Sequence, residues 1–203
     1  MIRFLRKIYS LLQNRKLSNK SPSIICNNCT GGIVYSSLNL KFYSPTINLH
    51  ISDDDFPYFV NNLSHYLKSD VYEIKCNKKW PVGFIEYNNR KVFIDFMHYD
   101  SFEIAKNKWE ERKKRVDLNN VFIIWMINRD LNDIKIMDYL NITYKRKMLI
   151  TYMDVDIDGA YKLDIFNKKD YRNGEVFWFK HWFSLRRHIN DIDFVKFLNQ
   201  QNS

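Results

Sequence analysis

Ser23-Ile24-Ile25-Cys26-Asn27-Asn28-Cys29-Thr30-Gly31-Gly32 is the stretch on which the fold class turns. Ser23 to Cys26 is a short apolar run with β-branched residues at its centre, and it reads as a buried strand. The amides, thiol and glycines from Asn27 to Gly32 form a tight polar turn, and a short helix is expected through Leu38. Strand, turn and helix start in direct succession point to an α/β domain.

Working outward, the rest of the chain alternates in the same way. A further strand is expected near Thr46 to His50. Ser52-Asp53-Asp54-Asp55 then suits a helix N-terminus, with the helix running to about Lys68. A metal-binding reading of that acidic run lacks a glycine-containing calcium loop. Val82 to Tyr87 and Lys91 to Met97 read as antiparallel strands joined at Asn88-Asn89, a pair that tolerates the left-handed backbone of a hairpin turn. On the second strand Val92, Ile94 and Phe96 share one face, in step with His98, and Asp95 points the other way, a poor partner for His98. A charged helix is expected over Ser101 to Val116, capped by Asp100 or Ser101, with Ala105, Trp109 and Arg112 along one side. Val121 to Ile127 and Met148 to Tyr152 are further strands, with a short helix around Asp133 to Leu140 between them. After Tyr152 only a closing helix, Phe194 to Asn199, has a readable pattern, although Trp178, Phe179, Trp182 and Phe183 must pack somewhere. The expected architecture is therefore α/β, a mixed sheet flanked by helices, in a single domain over residues 22–203.

The chain has 203 residues, 45% of them hydrophobic and 16% aromatic, enough for one packed core and against disorder. Its formal net charge of +9 favours phosphate-bearing ligands or an anionic membrane surface. Nucleic acid is not expected as a partner, because zinc-finger spacing, an aromatic RNP string and glycine-rich basic repeats are all missing. Three cysteines, an odd number, and no secretory signal suggest a reducing cytoplasm. The Cys26/Cys29 pair has no second pair to complete a zinc site, so no metal and no cofactor are expected.

Residues 1–21 read as a separate basic amphipathic segment. Ile2, Phe4, Leu5, Ile8, Tyr9, Leu11 and Leu12 give an apolar face, and Arg3, Arg6, Lys7, Arg15, Lys16 and Lys20 the charge. The segment is too short and charged to span a bilayer. It suits either a helix packed on the domain or a peripheral dock at the inner face of the cell membrane.

Candidate chemistry begins at the turn after the first strand, because ligands of α/β sheets bind beyond the carboxyl ends of the strands. Cys29 stands just before a helix, where a thiolate gains from the helix dipole, and the N–H groups of Gly31 and Gly32 could hold an oxyanion or phosphate. Asn27 and Asn28 add amide contacts. His98, at the end of another strand, is a candidate base for the Cys29 thiol. The alternative reading makes Cys29 a buried filler and His98 a satisfied edge histidine. Arg112 and Arg115 lie three apart on the charged helix and could grip a diphosphate, unless that helix face is only solvated.

Asn27-Asn28-Cys29-Thr30-Gly31-Gly32, Ser44-Pro45-Thr46, Trp80-Pro81-Val82-Gly83, Met97-His98-Tyr99, and Ala105 through Lys108-Trp109, Arg112 and Arg115 resemble, in order, the motifs of domain-of-unknown-function family nineteen-nineteen. The resemblance covers roughly Ser23 to Tyr152. Members of that family are associated with bacterial exopolysaccharide or capsule synthesis, and the resemblance implies that role without a reaction. The Asn-Cys start, the later His and the Lys-aromatic-x-x-Arg helix are also similar to papain-like cysteine peptidases, an analogy for Cys29 and His98. Glu111 beside Arg112 departs from that pattern, and none of the Asn or Asp residues after His98 stands out as its orienting partner.

Three functions follow as expectations. The first is a cytoplasmic transferase moving an acyl or glycosyl group onto a sugar intermediate, with a phosphate-bearing sugar donor or lipid-linked sugar as partner. The second is a cysteine hydrolase with a Cys29–His98 dyad. The third is a noncatalytic binding subunit of the polysaccharide assembly machinery.

Overall fold

Val121 to Ile127 is apolar at every position, and every one of its side chains is buried, so this strand needs cover on both faces. The computed structural model, which describes residues 1–128, 130–172 and 174–200, supplies that cover from opposite sides. In chain order its elements are α1 (Ile2–Arg15), β1 (Ser23–Cys26), α2 (Thr30–Ser37), α3 (Phe56–Asn61), α4 (Leu63–Tyr66), β2 (Tyr72–Ile74), β3 (Val82–Tyr87) and β4 (Arg90–Asp95). There follow α5 (Phe102–Lys113), β5 (Val121–Ile127), α6 (Asp133–Leu140), β6 (Lys147–Thr151), β7 (Ala160–Lys162) and α7 (Phe194–Leu198). The result is a mixed α/β single domain, as the sequence predicts.

Two sheets share the work. The first has the order β1-β5-β6-β7, every pairing in it parallel. The second, β2-β3-β4, is antiparallel and is inserted between β1 and β5. Side chains of the parallel strands alternate between two cores. Ile25, Ile123, Trp125, Ile127 and Leu149 face one cluster with Phe56 and Phe59 of α3, Trp109 of α5, and Val92 and Ile94 of β4. Ile24, Cys26, Phe122, Ile124, Met126, Met148 and Ile150 face the other, with Val34 and Tyr35 of α2 and Phe194 and Phe197 of α7. Burying one such side chain contributes about 1.5–3 kcal/mol, so filling both faces makes this sheet the thermodynamic centre of the molecule.

The β3–β4 hairpin follows the sequence closely. Tyr87 pairs with Arg90, and the two turn residues Asn88 and Asn89 have φ of 50° and 57°, as a two-residue hairpin turn demands. Ser101 caps α5 by accepting from the Ile104 N–H at 3.3 Å.

Two expectations are corrected. Thr46 to His50 is not a strand; only a single antiparallel bridge, His50 to Asp95, forms there. The open edge of β1 is met by hydroxyls in place of a neighbouring strand. Tyr35 Oη accepts from the Ile24 N–H at 2.9 Å and Thr46 Oγ1 from the Cys26 N–H at 3.1 Å, which blunts the edge. The helix expected from the acidic run to Lys68 breaks into α3 and α4 at Asn62, whose φ of −116° and ψ of 23° leave helical space. Its Nδ2 donates to the Tyr58 carbonyl at 2.9 Å, a local bond that competes with helix propagation.

Candidate active site

The carboxyl ends of β1 and β5 open into a cleft of about 620 Å³. It lies where strand ends of an α/β sheet receive ligands. Asn27, Asn28 and Cys29 enter it from the turn after β1, and Asn128 and Asp130 from the end of β5. His50 and Asp53 come from the loop between α2 and α3, and Asp95, Met97 and His98 from the end of β4. Trp80 and, from the segment before α7, Phe177 and Trp178 supply aromatic walls.

Asn27 sets the geometry. Its side chain is buried, accepts from the Met126 N–H at 3.0 Å and donates to the Met126 carbonyl at 3.0 Å, tying the ends of β1 and β5 together. The same Nδ2 donates to Asp53 Oδ1 at 3.0 Å, and Trp125 Nε1 donates to that oxygen at 2.8 Å. Asp53 is thus held through one carboxylate oxygen. Burial raises its pKa above the ordinary carboxylate range, opposed by the Trp125 bond, by Lys135 and His50, and by the Asn27 bond. Of the run Ser52 to Asp55, Ser52 Oγ accepts from the Asp55 N–H at 3.2 Å at the start of α3, whereas Asp55 occupies the N-cap without a side-chain cap bond and Asp53 is committed to the cleft.

The cysteines behave differently from each other. Cys26 is fully buried on the core side of β1; burial pushes its thiol up to about 12, although the Asn28 and Gly31 N–H groups oppose the shift. Cys29 is half-buried in the cleft, and burial pushes its thiol up to about 11, so it is a protonated thiol at neutral pH. His98 is exposed at the cleft rim. Among the described residues no hydrogen bond joins Cys29 to His98.

The remaining candidates fall in other places. Gly31 and Gly32 are buried in the first turn of α2, where a Cβ on Gly31 would meet Cys26 Cβ at 3.2 Å and one on Gly32 would meet the Ile47 side chain at 3.5 Å. Their small size serves close packing of α2 on β1, and the Gly31 N–H faces the Cys26 sulfur. Arg112 donates to Tyr99 Oη at 2.7 Å and lies over the Phe42 ring; Tyr99 Oη in turn donates to the Ile47 carbonyl at 2.9 Å. Arg115 donates to the Phe42 carbonyl at 3.2 Å and pairs with Glu111. Both arginines brace the loop around residue 42 against α5, and neither lines the cleft. Cys29, His98, Asn27 and Asn28 are thus brought together, whereas the glycines and arginines are not.

Several cleft residues escaped the sequence reading. Asp53, His50 and Asp95 were hidden because an acidic run reads as a cap and a strand-end acid as a solvent-facing residue. Asp95 carries its own cation, Lys78 Nζ at 2.7 Å. Trp80 and Asn128 hold a more specific signal: Trp80 Nε1 and Asn128 Oδ1 are buried and have no hydrogen-bond partner among the described residues. Both residues line the cleft, and a buried polar atom left without a partner is uncommon enough to call for an explanation. Among the described residues no cluster of His, Cys, Asp and Glu has the arrangement to hold a metal ion.

The family model described as Domain of unknown function (DUF1919) matches residues 1–199. An uncharacterized protein of Haemophilus influenzae is 32% identical over 189 residues, covering 91% of this chain and 87% of the relative.

Proposed function

The chain belongs to the DUF1919 family, and from that premise we propose that it is a transferase that moves an acyl or glycosyl group onto a sugar hydroxyl in exopolysaccharide or capsule synthesis. The observation that carries this reading is that Trp80 and Asn128, whose Nε1 and Oδ1 have no hydrogen-bond partner among the described residues, both line the cleft that also holds the Asp53 carboxyl. A hydroxyl can accept from an indole N–H or donate to an amide oxygen, and a sugar ring brings several hydroxyls beside an apolar face. Trp178 and Phe177 offer surface for that face.

In this reading Asp53 is the general base. Asn27 and Trp125 fix Oδ1, which leaves Oδ2, without a protein hydrogen bond among the described residues, to receive a proton. As the acceptor oxygen bonds to the donor's acyl or anomeric carbon, its proton passes to Asp53 and the donor's leaving group departs. A pKa raised by burial makes the carboxylate a stronger base than one in water. Cys29 contacts substrate as a thiol.

Mixing the purified protein with acyl-thioester and nucleotide-diphosphate-sugar donors and a panel of saccharide acceptors, and reading products by mass, tests this. Asp53→Asn keeps an acceptor oxygen for Asn27 and Trp125, and should lower turnover by about 10²–10⁴-fold while saccharide binding persists. Turnover unchanged in Asp53→Asn would refute the base assignment; saccharide binding without turnover of any donor would make the site a binding module.

A second reading is favoured by one observation, the shared cleft of Cys29 and His98, which would serve a cysteine hydrolase. It requires labelling by a thiol-reactive acyl probe that depends on His98.

A further inference from the structure

Helix α1 sits on the domain with the wrong face inward. An amphipathic surface helix of an ordinary soluble domain buries its apolar stripe. Here the residues turned to the protein are Ile2, Arg6, Tyr9, Ser10, Gln13 and Asn14, mostly polar and spaced at three and four. Arg6 fixes the contact: its guanidinium donates to the carbonyls of Trp182 (2.8 Å) and Ser184 (3.0 Å) and lies 3.3 Å over the Phe179 ring. Asn14 adds a bond to the Leu38 carbonyl at 2.9 Å. The opposite stripe, Phe4, Leu5, Ile8, Leu11 and Leu12, is exposed along its whole length, and no residue of α1 is buried. The loop that Arg6 holds adds Trp182 and Phe183, which are 82% and 61% exposed. Stripe and loop together leave an apolar patch exposed.

We propose that this patch is a docking surface for an anionic lipid bilayer, with α1 lying in the plane of the interface. Charge selects this occupant. Arg3 and Lys7 flank the stripe on one side and Lys16 on the other, with Arg15 at its end, all exposed. The chain has no Asp or Glu before Asp53, so nothing on α1 repels anionic headgroups. Apolar side chains enter the acyl boundary, cations meet the phosphates, and an exposed Trp favours the headgroup level. No helix among the described residues is long and apolar enough to cross a membrane, so the contact is peripheral. The inference does not rest on the chemistry of the cleft.

Flotation of the full chain with phosphatidylcholine vesicles, with and without phosphatidylglycerol, is the test. The chain should float with the mixed vesicles, not with phosphatidylcholine alone, and lose binding as salt rises. The doubly substituted Ile8→Asn/Leu12→Asn chain should bind at least tenfold more weakly, and Arg3→Glu/Lys7→Glu similarly. All four side chains are exposed, so the circular dichroism spectrum should not change; Trp182→Ala, outside the helix, gives an independent reduction. Vesicle binding equal in all variants would overturn the proposal, as would no binding to phosphatidylglycerol. A dimer seen by sedimentation in the unsubstituted chain and lost in Ile8→Asn/Leu12→Asn would also overturn it, by assigning the stripe to a second copy.

Discussion

Asp53 and Cys29 separate by environment. Both are partly withdrawn from water, and withdrawal disfavours the charged form of each. For Cys29 this suppresses the nucleophile; for Asp53 it strengthens the base. Cys29→Ala should therefore keep transfer activity within a few-fold, measured as initial rate, and thiol-reactive probes should label Cys29 slowly at neutral pH and faster as pH approaches 11. The sign for Asp53 runs through both activity and stability. Because the folded carboxyl binds its proton more tightly than the unfolded one, ionising it costs folding free energy as pH rises from the ordinary to the raised pKa. Activity should rise across the same window as the base forms. Asp53→Asn should accordingly be no less stable than the unsubstituted chain at neutral pH in denaturant unfolding, while its transfer rate collapses. A marked loss of stability there would mean that ionised Asp53 is a structural group.

At the scale of elements, the join between β6 and β7 is the most exacting. These parallel strands are linked without a helix, and Gly159, just before β7, has φ of 77° with its α-carbon turned toward the Tyr139 hydroxyl and the Lys147 carbonyl. Any Cβ there would press on the backbone at 2.7 Å. Gly159→Ala should cost about 2 kcal/mol or more by urea unfolding, from left-handed strain added to the clash. Strands with strong signals were legible: β1 and β5 through unbroken apolar runs, and β3 and β4 through alternation around Asn88-Asn89. β2 and β7 span three residues each and are largely exposed, so they leave no periodicity to read. Thr46 to His50 misleads for a physical reason: its apolar residues are buried, yet Thr46 meets the sheet edge with its side chain. Of the cleft, the Asn27-Asn28-Cys29 turn and His98 were readable because strand ends place them. Asp53 was not, since only the fold shows that Trp125 and Asn27, distant in sequence, converge on it.

The whole molecule has a polarity that neither sheet shows alone. The cleft opens at the carboxyl ends of β1 and β5, and α1, with its apolar stripe exposed, is held through Arg6 on the segment that contributes Trp178 to the cleft and the exposed Trp182. A sugar carried on a lipid, or a polymer made at a membrane, would suit a protein built this way. Under the proposed function the cleft takes a saccharide through Trp80 Nε1 and Asn128 Oδ1. Saturation-transfer NMR with a panel of hexoses and their nucleotide-diphosphate forms measures this directly, in the unsubstituted chain and in Trp80→Phe, which keeps an aromatic ring and deletes the N–H. At least one saccharide should bind, with affinity about tenfold lower in Trp80→Phe, the cost of one lost hydrogen bond in a buried site. Absence of binding across the panel, or equal binding by Trp80→Phe, would contradict the account.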